Sequence, residues 1–141
     1  MDAITFLKQE HSRFRKDLTA IKNIKETKAK KAKFDAFCVE LIKHETMEQK
    51  VWYPALRKYP ELRDTIQHLL SEEKSASQAI KKFQDVSFDF MWELRFYKFK
   101  HDVNHHAKEE EKELFPKVKT LLNQDELKIL GQKMKKFKDA L

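Results

Sequence analysis

Two segments of the chain place a glutamate four residues after a histidine and a proline ten residues after it. The first is His44-Glu45-Thr46-Met47-Glu48, running on through Trp52-Tyr53 to Pro54; the second is His106-Ala107-Lys108-Glu109-Glu110, running on through Leu114-Phe115 to Pro116. On an α-helix, residues four apart lie on one face, one above the other. Each segment therefore offers an imidazole and a carboxylate side by side, a pair that suits iron, zinc or manganese. His11 and His68, the latter with Glu72 four residues on, supply further donors of the same kind.

The elements that must position these groups read as helices. Asp2 caps a first helix with the stripe Ile4, Leu7, His11, Phe14, Leu18, Ile21, stepping alternately by three and four, so His11 sits on the apolar seam. A second helix carries Phe34, Phe37, Leu41, His44, Glu48, Val51 and Ala55, and Pro60 bars its continuation. The third starts near Glu61, with Leu62, Ile66, Leu69, Ala76, Ile80 and Phe83 as its apolar face and His68, Glu72 and Ala79 along the edge. After the turn Ser87-Phe88-Asp89, a fourth carries Trp92, Phe96, Phe99, Val103, His106, Glu110, Leu114 and Val118. Asn123 and Glu126 have capping-box spacing and open a short fifth helix over about 124–139, with Leu127, Leu130, Met134 and Phe137 inward. Short connections predict an all-α, up-down-up-down antiparallel four-helix bundle with this C-terminal addition, one domain over residues 1–141. The midpoints between successive polar sites fall at Lys28, Lys58 and Asp89, each beside an independent turn signal. The spacing thus brings a histidine from every long helix to one level of the interior.

Composition narrows the classes. One glycine and three prolines in 141 residues leave little but helix. The formal charge of +7 invites nucleic acid, but the 30 basic residues are spread over every segment among 23 acids, which reads as a solvated surface. The lone Cys38 forms no intramolecular disulfide and reads as a buried small hydrophobe. With no apparent signal peptide and no apolar run of membrane length, the expectation is a cytoplasmic protein without membrane or nucleic-acid partners.

Several carboxylates in a core need a partner, and no lysine or arginine occupies the matching seam positions. A bound cation, or a pair, fills that role. Six or seven protein ligands exceed one tetrahedral zinc, so two metals sharing carboxylates fit better, with iron favoured and manganese or zinc as substitutes. The pattern His11, His44-x-x-x-Glu48, His68, His106-x-x-x-Glu110 resembles the hemerythrin-like family, the HHE cation-binding domains, over the chain to about residue 122. Ferritin-like proteins instead use Glu-x-x-His, and no histidine here has a glutamate three residues before it.

The resemblance implies a non-haem di-iron centre bridged by Glu48 and Glu110, with His11 and His44 on one iron and His68 and His106 on the other. Glu72, standing where oxygen carriers have a histidine, is a further candidate ligand; its charge favours ferric iron and argues against reversible oxygen carriage. The implied function is binding iron and handling O2, peroxide or NO, with iron storage, sensing or redox turnover as the rivals. No general acid or base stands apart from the ligands, so the spacing assigns no catalytic residue. Glu45 resembles an extra acidic ligand of iron-sensing relatives but reads first as a solvated helix residue, as do His101 and the His105/Glu109 pair, turned about 100° from the seam.

Overall fold

In the computed structural model, which describes residues 1–83 and 90–141, every regular element is helical. Helix α1 (Ala3–Asn23) is capped by the Asp2 carboxylate, which accepts from the Thr5 amide at 2.9 Å. Helix α2 (Thr27–Met47) is capped by Glu26, runs without a break through a π turn (Glu48–Trp52), and ends in α3 (Tyr53–Leu56). A 3₁₀ turn (Pro60–Leu62) leads into α4 (Arg63–Phe83). Helix α5 (Phe90–Glu109) passes through a second π turn (Glu110–Leu114) into α6 (Phe115–Leu121). Helix α7 (Gln124–Asp139) opens on the capping box of Asn123 and Glu126 and packs against α1 and α2. The first two turns lie at residues 24–26 and 57–59. The third, expected at Ser87-Phe88-Asp89, lies outside the described residues.

Each π turn immediately precedes an aromatic-proline pair. A proline inside a helix lacks the amide for its own bond, and its ring clashes with the carbonyl four residues back. Widening the turn relieves that clash: the Tyr53 amide reaches the Glu48 carbonyl and the Phe115 amide reaches the Glu110 carbonyl, five residues away in both cases. Both wide turns begin at the glutamate of the repeated motif. The extra residue also re-aims the side chains beyond it. Val51 and Ala55, expected on the second seam, are only half-buried, while Trp52, Tyr53 and Leu56 are fully buried in their place.

Two apolar clusters make the core. One gathers Leu7, Met47, Trp52, Leu69, Leu114, Phe115 and the inner face of α7; the other gathers Phe14, Leu18, Phe34, Phe37, Leu41, Phe83, Phe99 and Val103. Along α1, His11 stands between Leu7 of the first cluster and Phe14 of the second. His44 stands likewise between Leu41 and Met47, and His106 between Val103 and Leu114. A polar layer therefore divides the core. Burying the two apolar clusters on either side fixes the backbone that carries it.

Candidate metal centre

Three imidazoles and three carboxylates meet in this layer. His11 comes from α1, His44 from the end of α2, Glu48 and Glu110 from the starts of the two π turns, Glu73 from α4 and His106 from α5. Glu48, Glu73 and Glu110 are essentially inaccessible, at 0%, 1% and 0% exposure. Each histidine turns Nε2 inward: His11 to Glu110 Oε1 at 3.2 Å, His44 to Glu48 Oε1 at 3.1 Å, and His106 to Glu73 Oε2 at 3.2 Å. Two sets of donor atoms are close enough to share a cation, His11/His44/Glu110 and Glu48/Glu73/His106/Glu110, and Glu110 belongs to both.

Outside this layer, a second ring of carboxylates fixes the imidazoles. Nδ1 of His11 lies 2.6 Å from Glu111, which also accepts from Arg15. Nδ1 of His44 lies 3.0 Å from Glu10, which is itself clamped by Lys138 at 2.6 Å and Arg13 at 2.8 Å. Nδ1 of His106 lies 2.9 Å from Glu72. A carboxylate on Nδ1 holds that proton and leaves Nε2 as the basic, inward-facing donor atom, the arrangement metal-binding histidines use. The aromatic walls restrict the rings further, with Phe14 edge-on to His44 and Phe115 stacked on His11.

The electrostatics of the layer are strained. Burial, then repulsion from Glu110 and Glu73, pushes the Glu48 carboxyl well above the usual carboxylate range. Burial also raises Glu110, but the nearby Glu48 carboxyl and the charges of His11 and His106 outweigh it and hold Glu110 low. Burial and the neighbouring carboxylates hold the Tyr53 phenol protonated; its hydroxyl lies 2.8 Å from Glu110 and 2.9 Å from Glu73, donating to one at a time. Neither oxygen of Glu48 receives a hydrogen bond, and Glu110 Oε1 is also without one. Buried orphan oxygens facing three imidazole nitrogens suit a bound metal cation.

Of the residues the motif singled out, His11, His44, Glu48, His106 and Glu110 come together here. His68 does not. It is exposed, with its Nε2 on Glu109 at 2.7 Å, and Glu72 sits beyond His106 on the Nδ1 side. The reason lies in the stripe of α4. Leu62, Ile66, Leu69, Glu73, Ala76, Ile80 and Phe83 step alternately by four and three, so the inward position is 73, and 68 and 72 fall one residue to the side. That gap in the apolar series was the signal for Glu73. Glu45, expected in solvent, is buried, and burial together with Glu73 raises its carboxyl well above the usual range. Glu10 and Glu111 carry no spacing signal beyond being neighbours of His11 and Glu110. Tyr53 is the aromatic residue that hydrogen-bonds the carboxylates, whereas Trp92 and Phe96 belong to the second apolar cluster.

A cavity of about 220 Å³ opens between α4 and α5 beside the His106 half of the layer. Leu41, Ala76, Phe99 and Val103 form its apolar wall, and Glu45, Glu72 and His106 its polar floor. Among the described residues, no helix is long and apolar enough to cross a membrane.

The model of the family described as the hemerythrin HHE cation binding domain matches residues 2–118. Among solved structures, the crystal structure of a hemerythrin HHE cation binding domain-containing protein from Mycobacterium kansasii is similar at a TM-score of 0.84 and 24% identity. The superposition covers 99% of this chain and 89% of that one, and at this identity it speaks for the fold. None of the curated proteins compared with the chain matches it.

Proposed function

Because the chain belongs to the hemerythrin HHE cation binding domain family, we propose that it holds two iron ions in a carboxylate-bridged, non-haem centre. At that centre it would handle a small oxidant: O2, peroxide or NO. The reading takes residues 1–141 as one domain whose four long helices run up-down-up-down around the polar layer. His11, His44 and Glu110 would hold one ion, and Glu48, Glu73, His106 and Glu110 the other. The observation that carries the reading is Glu48, whose two fully buried oxygens meet no donor while three imidazole Nε2 atoms point into the same space. Zinc or manganese accept the same donors and are the substitutes to test against iron.

Bound iron supplies one-electron redox chemistry and exchangeable positions for a small ligand. The chain's own residues set its surroundings. Glu10, Glu72 and Glu111 hold the Nδ1 protons, so the imidazoles keep one orientation through a redox change. The Tyr53 hydroxyl donates a hydrogen bond to Glu110 or Glu73 and so orients that ligand carboxylate. The apolar wall of the α4–α5 cavity admits a small neutral molecule to the His106 half and limits bulk water.

Three buried carboxylates against three imidazoles favour the higher oxidation state of iron. That balance, with a cavity leading to the site, favours redox turnover of peroxide or NO over reversible oxygen carriage or plain storage. The test is anaerobic reconstitution with ferrous iron, metal analysis, and exposure to air, peroxide and NO in turn. The expected result is two iron per chain and rapid oxidation with peroxide consumed. A lasting, reversible oxygenated spectrum would replace turnover with carriage. Undiminished iron content in a Glu48→Gln, Glu110→Gln double variant would remove the centre from this layer.

A further inference from the structure

Facing solvent across α4 and α5 is a second group of metal-ligand side chains that the buried layer does not use. His68 and Glu72 come from α4, and His105 and Glu109 from α5. His68 Nε2 lies 2.7 Å from Glu109 Oε1 and 3.5 Å from Glu72 Oε2, and His105 Nε2 lies 3.1 Å from Glu109 Oε2 and 3.9 Å from Glu72 Oε2. One atom from each of His68, Glu72 and Glu109 falls within a sphere small enough for a single ion. Among the described residues, no lysine or arginine pairs with Glu72 or Glu109. Glu109 Oε2 is inaccessible and receives no hydrogen bond although His105 stands near it, so the geometry leaves an acceptor without a donor.

Two features separate this group from an ordinary surface ion-pair cluster. Its donors are mixed imidazole and carboxylate from two helices, the combination that suits a divalent transition metal and not calcium or magnesium. It is also tied to the interior. Glu72 spends Oε1 on His106 Nδ1 and turns Oε2 outward to His68 and His105. On one side lies a shallow groove whose lining includes the acids Asp64, Glu109 and Glu113 with His68 and His105, and also Lys108 and Lys112. The cavity floored by Glu45, Glu72 and His106 lies on the other, and His105 borders both.

We propose that His68, Glu72, His105 and Glu109 form a peripheral site for one divalent transition-metal cation, a docking point from which cations pass along Glu72 and the α4–α5 cavity to the buried layer. The peripheral site stands on its own donors; the transfer rests on the buried centre of the proposed function. Partial exposure makes it the weaker and faster-exchanging of the two. Glu72 gives the passing ion a carboxylate whose other oxygen already touches a histidine of the inner layer.

The experiment titrates anaerobic, metal-free protein with Co2+, monitored by calorimetry and visible absorption, and times the loading of the buried centre by stopped flow. Wild type should show one weak binding event beyond those of the buried layer. In His68→Ala, His105→Ala that weak event should vanish and the buried centre should load more slowly than in wild type, to the same final occupancy. Both substitutions are on exposed side chains, and an unchanged metal-free melt verifies the fold. Glu48→Gln, Glu110→Gln should show the converse, losing the tight events and keeping the weak one, which separates failure of the buried centre from failure of the peripheral site. An unaltered number of bound cations in the double histidine variant overturns the site. Loss of the weak event with unchanged loading overturns the transfer.

Discussion

Replacing Glu48 by glutamine should stabilise the metal-free protein and remove most of the stabilisation that metal provides. Glu48 is fully buried, both oxygens lack a donor, and burial together with the charges of Glu110 and Glu73 raises its carboxyl well above the ordinary range. A group with a raised folded pKa contributes stability that is present below its unfolded pKa and is lost as pH rises through the folded value. Glutamine keeps the shape of the protonated form at every pH and can direct its amide at Glu110 or Glu73. The two metal-free proteins should therefore melt together in mild acid and diverge as pH rises, with the variant ahead at pH 8. Relieving an unsatisfied buried acceptor is worth about 1–3 kcal/mol, or roughly 3–15 °C in a chain of this size. With ferrous iron at a hundredfold excess over its dissociation constant, wild type should gain about 2.7 kcal/mol, whereas the variant, short of one carboxylate of the Glu48/Glu73/His106/Glu110 set, gains less. The order of the melts should then invert between metal-free and loaded protein. Thermal melts by circular dichroism, run anaerobically across pH with and without iron, test this. A variant that melts lower than wild type without metal at pH 8 would show that Glu48 is no unrelieved charge, and one that gains as much from iron would show that it is no ligand.

Three other expectations come from outside the ligand set. Lys138→Met removes one of the two cations holding Glu10 and loosens the carboxylate that fixes the His44 imidazole, leaving Arg13 as its clamp; iron affinity should fall, by less than the roughly tenfold or more expected for loss of Glu10 itself. Gly131→Ala would put a methyl 2.6 Å from the Met1 carbonyl oxygen and 2.7 Å from the Ala3 amide, both backbone, so α7 must lift from α1; the cost should be about 1–3 kcal/mol, read as a lower melting temperature. Burial pushes the Cys38 thiol up to about 12, so folded protein should resist iodoacetamide at pH 8 and react only on unfolding. The same shift removes stability as pH climbs from the ordinary thiol range toward 12, and Cys38→Ala should flatten that alkaline loss.

The repeated histidine-glutamate-proline segments were legible because their chemistry depends on spacing along one helix. Residues four apart share a face whatever surrounds them, so the face common to His44 and Glu48, and to His106 and Glu110, needed no tertiary knowledge. The stripes of α1 and α5 likewise placed His11 and His106 on the seam. On α4 the same reasoning left the choice open: His68 and Glu72 have the right types at the right interval, while one position on stand Leu69 and Glu73, an apolar residue and a second carboxylate on the adjoining line. Only packing against the other helices decides which line of side chains turns inward, and the gain from burying Leu69 and Ile66 turns Glu73 in and His68 out. Prolines 54 and 116 were visible, but their consequence, a turn widened by one residue that brings Tyr53 to Glu110 across the core, depends on a hydrogen-bond register that a 3.6-residue period does not contain. The outer carboxylates were least legible of all. Glu111 and His11 lie a hundred residues apart in the chain, and Glu10 depends on Lys138 of the last helix, so their roles exist only once the helices have been brought together.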